Sequence, residues 1–486
     1  MNTVKSFFHK HLKVVIPVFF LLYLIIGACA PFFYYQSLSP EAERQIRETQ
    51  YYQSTPGPER VMLLETNISA WEQRLRMIQL AEEEIILSTF DFRDGEAPRD
   101  ILSLLLHKAE EGVKVKILVD GFSGLIRMEG RDLFYALSSH PDVEIRIYNP
   151  INPLTPWKTQ GRMHDKYVIV DHTAFLLGGR NTFDYFIGDY PTNSRSYDRE
   201  VLVYNPEPEK GAGPGLLQLR DYFESVWNLP VCRVFHDSPN LAERKGVKNQ
   251  RALLKDRYDS LALSRPDLFS PKRETHLQYY NENTLEAGKI TLISNPTHIY
   301  GKEPVVFSAI TDLIENARSS VIFHTPYAVL NDYMYDSLKT AGSQVPDMKI
   351  MINSVENGDN FFASSDYIRR KKWMAAMEIP IYEYDGGMSY HGKSLVIDET
   401  LSLIGSYNLD LRSTYMDTEL MLAVESPGLA AELTEHMENF HRDCRRLLPD
   451  GSYEIPDHIV VADVPVWKKA AWAIVGFFME PFRFLL

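Results

Sequence analysis

The chain has 486 residues, material for about two or three domains or for one duplicated pair. A net charge of −14 and a pI near 5.5 exclude a broad electrostatic grip on DNA or RNA. The cysteines, Cys29, Cys232 and Cys444, have no CxxC spacing, so neither a disulfide framework nor a zinc site is indicated.

The N-terminus differs from the rest. Lys5, Lys10 and Lys13, with His9 and His11, precede a stretch without charge from Val14 to Pro40. Its core, "VVIPVFFLLYLIIGACAPFFYY", is long enough to span a bilayer. It reads as a retained anchor over residues 1–40 because the apolar run continues through Phe32, Phe33, Tyr34 and Tyr35. A cleaved signal peptide, or a lipoprotein cleavage ending at Cys29, is the alternative. The leading lysines favour the N-terminus inside, so a single span puts the rest outside the cytoplasm. Pro17 and Pro31 leave a re-entrant hairpin open, which reverses that side.

The body of the chain says the same thing twice. "AEEEIILSTFDF" (81–92) matches "ARSSVIFHTPYAV" (317–329), the end of a helix running into a strand. "GVKVKILVD" (112–120) matches "DMKIMINSV" (347–355), and "VEIRIYNP" (143–150) matches "MEIPIYEYD" (377–385). Then "RMHDKYVIVDHTAFLLGGRN" (162–181) matches "YHGKSLVIDETLSLIGSYN" (390–408), each a strand hairpin. The predicted turns are Asp171–His172–Thr173 and Asp398–Glu399–Thr400. Last, "YDREVLVY" (197–204) matches "MDTELMLAV" (416–424). Alternating β and α segments in duplicate predict an α/β fold of two pseudo-symmetric halves, each a mixed sheet flanked by helices.

The predicted units are 41–231 and 285–450, joined by a connector at 232–284. Residues 232–280 carry ten Lys/Arg against six Asp/Glu, which suits surface helices that are solvated or lie near anionic headgroups. The tail, 451–486, ends in "VWKKAAWAIVGFFMEPFRFLL". Its uncharged part, Ala470–Met479, is too short to span. It suits a membrane-interfacial helix with Trp467, Lys468, Lys469 and Trp472 at headgroup depth, or a helix docked on the core.

The strongest signal lies in the hairpins. The first copy reads His164-x-Lys166-x4-Asp171-x6-Gly178-Gly179-x-Asn181. The second reads His391-x-Lys393-x4-Asp398-x6-Gly405-Ser406-x-Asn408. A lone His-x-Lys means nothing, but five specified residues at one spacing, met twice, are far from chance. Two histidines, two lysines and two asparagines meeting across a twofold axis make a site for one phosphodiester. Lys166, Lys393, Asn181 and Asn408 donate to the non-bridging oxygens. One histidine attacks phosphorus while neutral; the other protonates the leaving alkoxide and then activates the incoming alcohol. Gly179 stands where the second copy has Ser406, so one position offers only a backbone N–H. Asp198-x-Glu200 aligns with Asp417-x-Glu419, which makes Glu200 and Glu419 candidates to orient the imidazoles. Asp171 and Asp398 complete the catalytic motif, although as chemistry they suit the hairpin turns better than substrate. Arg162, Arg180, Arg195 and Arg412 are candidates for a second headgroup, and Phe90 and Tyr327 for the lipid entrance.

The duplicated pattern resembles the phospholipase D superfamily, whose signature is HxKx4Dx6GSxN. "RIYNP", "GRMHDK", "VDHTAFLLGGRN" and the apolar tail are most similar to the bacterial cardiolipin synthases, over roughly residues 60–486. The resemblance implies that His164 is the nucleophile and His391 the acid/base, with no metal or cofactor needed. It implies a membrane-anchored phosphatidyltransferase that joins two phosphatidylglycerols into cardiolipin and glycerol. Its partners are then phosphatidylglycerol, other anionic phospholipids and the membrane, not nucleic acid. Water as acceptor makes the protein a phospholipase D instead, and another alcohol a different synthase. A nuclease is disfavoured by the acidic charge. A non-catalytic scaffold is disfavoured because no motif His, Lys or Asn has decayed.

Overall fold

The computed structural model describes residues 2–486, with side chains from Lys13 onward. In the first half the strands are β1 (Arg60–Leu64), β2 (Glu84–Thr89), β3 (Lys114–Asp120), β4 (Val143–Tyr148), β5 (Tyr167–Val170), β6 (Ala174–Gly178), β7 (Ser196–Tyr197), β8 (Glu200–Tyr204), β9 (Cys232–Val234) and β10 (Leu285–Glu286). In the second they are β11 (Ile290–Ser294), β12 (Ser320–His324), β13 (Asp347–Asn353), β14 (Ile381–Tyr384), β15 (Ser389–Tyr390), β16 (Ser394–Ile397), β17 (Leu401–Gly405), β18 (Leu420–Glu425), β19 (Cys444–Leu447) and β20 (Tyr453–Glu454). Among the described residues they form two nine-stranded sheets and one two-stranded pair. The first sheet runs β10-β1-β8-β6-β5-β2-β3-β4-β9, the second β11-β18-β17-β16-β12-β13-β14-β19-β20. The centre of each is parallel (β2-β3-β4, β12-β13-β14) and the motif hairpin (β5-β6, β16-β17) is antiparallel beside it. Every strand of the repeat lies where its hydrophobic pattern predicts it, and both hairpin turns fall at the expected residues.

The two-faced burial of the motif strands follows from three cores. In β5, Val168 and Val170 face the helices Asn67–Gln79 and Glu96–Glu110, while Tyr167 and Ile169 face the other sheet. In β16, Leu395 and Ile397 face outward and Val396 inward. The inward cluster joins Ile86, Leu118 and Ile169 of one sheet to Ile322, Val396 and Ile404 of the other. Burial on both faces explains why these strands read as continuous apolar runs.

The motif aspartates belong to this scaffold. Asp171 and Asp398 sit in the left-handed region at φ 47° and 51°. Their carboxylates accept the N–H groups of Glu82, Glu83 and Glu84, and of Arg318, Ser319 and Ser320, where β2 and β12 begin. Each pins a hairpin turn to the start of the neighbouring parallel strand, at the far end of the motif strand from the histidine. Grouping them with the catalytic residues is therefore corrected: they fix the strand register that places His and Lys.

The connector is also corrected. β9 pairs with β4 and β10 with β1, so residues 232–234 and 285–286 are strands of the first sheet. The helices Lys245–Ser264 and Arg273–Asn283 bury Leu254, Leu261 and Tyr280 in the first half's core. The basic stretch is the outer layer of that half, because Val247, Leu254 and Leu261, seven residues apart, put a buried apolar stripe on one face of an otherwise charged helix. The ends of the chain pack on the second half. Cys29, Phe32, Ile46 and Tyr51 enter its core, as does Phe484 from the tail. The C-terminal helix Val466–Met479 is docked, with Trp472 and Gly476 buried and Trp472 stacked on Phe361.

Candidate active site

Each half extends a short strand segment into the other beside its histidine. Met163 bridges Thr418, and Ser389–Tyr390 (β15) pairs in parallel with Ser196–Tyr197 (β7). His164 N–H donates to the Thr418 carbonyl at 3.2 Å, and His391 N–H to the Tyr197 carbonyl at 2.6 Å. The residue before each histidine is held from the end of the adjacent parallel strand. Asp120 accepts the Met163 N–H (3.0 Å), and Asn353 accepts the Tyr390 N–H (2.9 Å). Thus the strand ends β3 and β13, not the motif alone, bring the two phrases face to face.

Each histidine is oriented by a carboxylate of the other half. His164 Nδ1 lies 2.8 Å from Glu419 Oε1, and His391 Nδ1 lies 2.7 Å from Asp198 Oδ2. The Nδ1 positions are occupied, so Nε2 is the nitrogen left for chemistry. Glu419 does what its place in the sequence predicts. Glu200 does not: it is fully buried and pairs bidentately with Arg74, at 2.7 and 2.5 Å, away from both imidazoles. The ladders show why. Gly178 pairs with Glu200 in β6-β8, whereas Gly405 pairs with Met421 in β17-β18. The counterpart of Glu419 is therefore Asp198, and the alignment of Asp-x-Glu with Asp-x-Glu is two residues out of register. A two-residue slip keeps every side chain on its face, so the hydrophobic pattern could not reveal it.

This register also explains Gly179. The Ser406 hydroxyl donates to the Glu419 carboxylate, joined by Ser413 Oγ at 2.6 Å. In the first half the shorter Asp198 carboxylate lies where a Cβ on residue 179 would be. The missing serine is a fit to Asp198 rather than a lost phosphate donor. Gly179→Ser is expected to cost about 1–3 kcal/mol from the overlap and to loosen the grip on His391. Denaturant unfolding together with turnover checks this; a variant unchanged in both refutes it.

The lysines are buried, at 1% and 0% exposure, and each ammonium donates to the carbonyl of its own histidine. Lys393 Nζ also lies over the His391 ring, 2.6 Å from Nδ1 and 3.1 Å from Nε2. Burial lowers Lys166 to about 7 and Lys393 to about 8, with Glu419 and Asp198 respectively the leading opposing charges. An anionic diester between them favours the charged ammonium forms. Asn181 Oδ1 accepts the Asp91 N–H at 3.2 Å, leaving its amide N–H groups to donate. Asn408 is 4% exposed, beside Ser413.

The two imidazoles are placed alike, but the carboxyl groups behind them are shifted in opposite directions. The side chains are 12% and 13% exposed. Burial and then Lys166 and Lys393 hold His164 well below the ordinary histidine value, and burial holds the Glu419 carboxyl well above the ordinary carboxylate value. His391 is lowered by burial and Lys393, but Asp198 opposes that shift by a hydrogen bond and by charge. Burial opposes ionisation of Asp198, yet Lys393, the His391 hydrogen bond and His391 itself hold its carboxyl below its usual value. The Asp198 charge therefore favours the protonated form of His391 more than Glu419 favours that of His164.

The remaining candidates divide. Phe90 lies against His164 at 5.2 Å between ring centroids and lines the site. Tyr327 is half-buried, near Asp410 and Asp359. Arg162, Arg180 and Arg412 are spent on the scaffold, donating to the Asn149, Leu64 and Gln160 carbonyls. Arg195 pairs with Asp189. The sequence reading missed Asp198 as a partner of His391, and also Asp120, Asn353 and Ser413. The signal available for Asp198 was the glycine at 179. Phe186, packed 4.9 Å from the His391 ring, carried no signal.

The family model described as "Cardiolipin synthase, PLD-like domain" matches residues 75–227 and 310–441, one match per half. Cardiolipin synthase C of Escherichia coli K12 is 25% identical over 414 residues, covering 77% of this chain and 83% of its own length. A Halalkalibacterium halodurans cardiolipin synthase is 26% identical over 355 residues, covering 72% and 59%. In fold, the chain is similar to the crystal structure of the Haemophilus influenzae phosphatidylserine synthase, with TM-score 0.62 and 15% identity, covering 92% of this chain and 99% of that one. With both halves matched around a duplicated His-Lys site, the chain belongs to the cardiolipin synthase family with phospholipase D-like domains.

Proposed function

We propose that the protein is a membrane-anchored phosphatidyltransferase that converts two phosphatidylglycerols into cardiolipin and glycerol. The observation that carries the reading is the pairing of two histidines across the halves, each with Nδ1 held by a carboxylate of the other half, Asp198 behind His391 and Glu419 behind His164, and each with a buried lysine beside it. His164 Nε2 attacks phosphorus, and the bond from phosphorus to the glycerol oxygen breaks as His391 gives that oxygen a proton. The product is a phosphatidyl-histidine. His391, now neutral, takes the proton of the second phosphatidylglycerol's hydroxyl, whose oxygen attacks phosphorus and releases His164. Lys166, Lys393, Asn181 and Asn408 hold the non-bridging oxygens throughout, countering the charge that grows in each transition state. Asp171 and Asp398 support the motif strands, and Asp198 and Glu419 orient the rings.

The membrane reading rests on the N-terminal helix. Among the described residues one helix is long and apolar enough to cross a bilayer, through Lys13–Phe32. Of that window 6% is buried, so the protein itself does not cover it. The leading lysines favour an extracytoplasmic catalytic part.

The test is a product assay on the full chain with phosphatidylglycerol. Glycerol and cardiolipin are expected in equal amounts. Phosphatidic acid as the main product would make water the acceptor and the protein a hydrolase of the same family.

A further inference from the structure

The C-terminal helix Val466–Met479 presents two faces. One packs on the helix Phe361–Ala375: Trp472 stacks on Phe361, Gly476 fits against Ser365 and Arg369, and Glu480 pairs with Arg370 at the helix end. The opposite face is Trp467, Ile474, Phe477 and Phe478, exposed by 70, 58, 66 and 67%. Lys469 at its start is the one charge among its exposed positions. A stripe of this size left bare on a docked helix marks an interaction surface.

Its neighbours name the occupant. The tail after the helix brings Phe484 to Phe33, at 4.9 Å, where the candidate membrane span leaves the N-terminal helix. The span also touches the loop after β4: Tyr23 Oη donates to the Leu154 carbonyl, and Gly27 packs on Pro156. That loop leads straight into His164 and carries Leu154, 71% exposed. The helix Phe361–Ala375 likewise starts in the loop after β13, whose Asn353 holds the strand leading to His391. After β3, the third strand end at the site, Phe122, Leu125 and Ile126 are exposed as well. The apolar surfaces thus gather where the parallel strands end, which is where the histidines lie.

We infer that the outer face of the C-terminal helix lies in the interface of the same bilayer that the N-terminal helix spans. The mouth of the active site then faces the membrane between two attachments, and a phospholipid reaches the histidines without leaving the lipid phase. Trp467, Lys468 and Lys469 sit at headgroup level, with Phe477 and Phe478 deeper. This rests on the phospholipid reading of the site but is tested apart from it.

The experiment uses the full chain in phosphatidylglycerol vesicles, with a nitroxide on Phe478→Cys and, separately, on Phe19→Cys in the span and Asn249→Cys on the far helices. Cys29, Cys232 and Cys444 are buried and do not compete for label. Relaxation by oxygen and by a water-soluble nickel complex gives depth. The label at 478 is expected about 5–10 Å into the headgroup and acyl boundary, with 19 deeper and 249 in water. Nickel accessibility at 478 equal to that at 249 overturns the inference. So does a label at 478 shielded from both reagents, the mark of a protein partner or a second copy. Phosphatidylglycerol turnover by the labelled proteins reports the catalytic reading independently. The double variant Phe477→Asp, Phe478→Asp is expected to lose roughly tenfold or more in vesicles while turnover in detergent micelles stays within about twofold. Equal loss in both would indicate damage to the fold and no interfacial role.

Discussion

His164→Ala is expected to abolish turnover, by roughly 10⁴-fold or more, because the proposed covalent route runs through His164 Nε2 and His391 is then left without the partner it serves. His391→Ala is expected to cost about 10²–10⁴, the worth of general acid and base help. The two variants separate in a second measurement. An acid-labile phosphoenzyme, trapped from labelled phosphatidylglycerol, is expected to vanish with His164→Ala. With His391→Ala it should still form from a diester whose leaving alcohol is acidic enough to depart unaided. A label that survives His164→Ala and is lost with His391→Ala reverses the roles. The proposed roles rest on the carboxylates behind the rings, Asp198 for His391 and Glu419 for His164.

Those carboxylates carry the second large effect. Glu419→Gln preserves shape, but it presents an amide to Ser406, Ser413 and His164, which have matched a carboxyl group. A loss of roughly 10²–10⁴ in kcat is expected from a misoriented ring or wrong tautomer, by analogy with other carboxylate-oriented histidines. Asp198→Asn acts differently. Asp198 raises the pKa of His391 against burial and Lys393, so its neutral replacement lets that pKa fall. The acid form of His391 is then lost at lower pH, and the alkaline limb of kcat/KM moves down. The acid limb reports His164, held well below 6.5 by burial and the two lysines, and should stay in place. Stopped assays across pH on both variants check this. An alkaline limb unmoved in Asp198→Asn would remove His391 from the acid role.

The repeat, the order of its strands, the hairpin turns at Asp171 and Asp398, and the paired His, Lys and Asn with Glu419 were legible in the sequence. They are local: a strand's period, a turn's residue preferences and a fixed spacing are properties of a few consecutive residues. The same locality let the aspartates be read both as turn formers and as catalytic, and only their bonds to the backbone of β2 and β12 separated the two. The partner of His391 could not be read, because it comes from the other half at a register set by β6-β8. The sequence alignment offered Glu200, two residues along on the same strand face, and the packing of Arg74 and Arg180 consumed it.

The sequence by itself determined that two similar α/β halves meet around paired His, Lys and Asn, and that an apolar segment leads the chain. Both follow from patterns that no contact can alter. Only the tertiary structure decided which carboxylate stands behind which imidazole, that Gly179 makes room for Asp198, and that the basic connector is a layer of the first half. It alone also decided that the tail shares the side of the molecule where the span ends. Each of these depends on long-range register and on competition among buried groups for the same partners, which spacing along a chain does not encode.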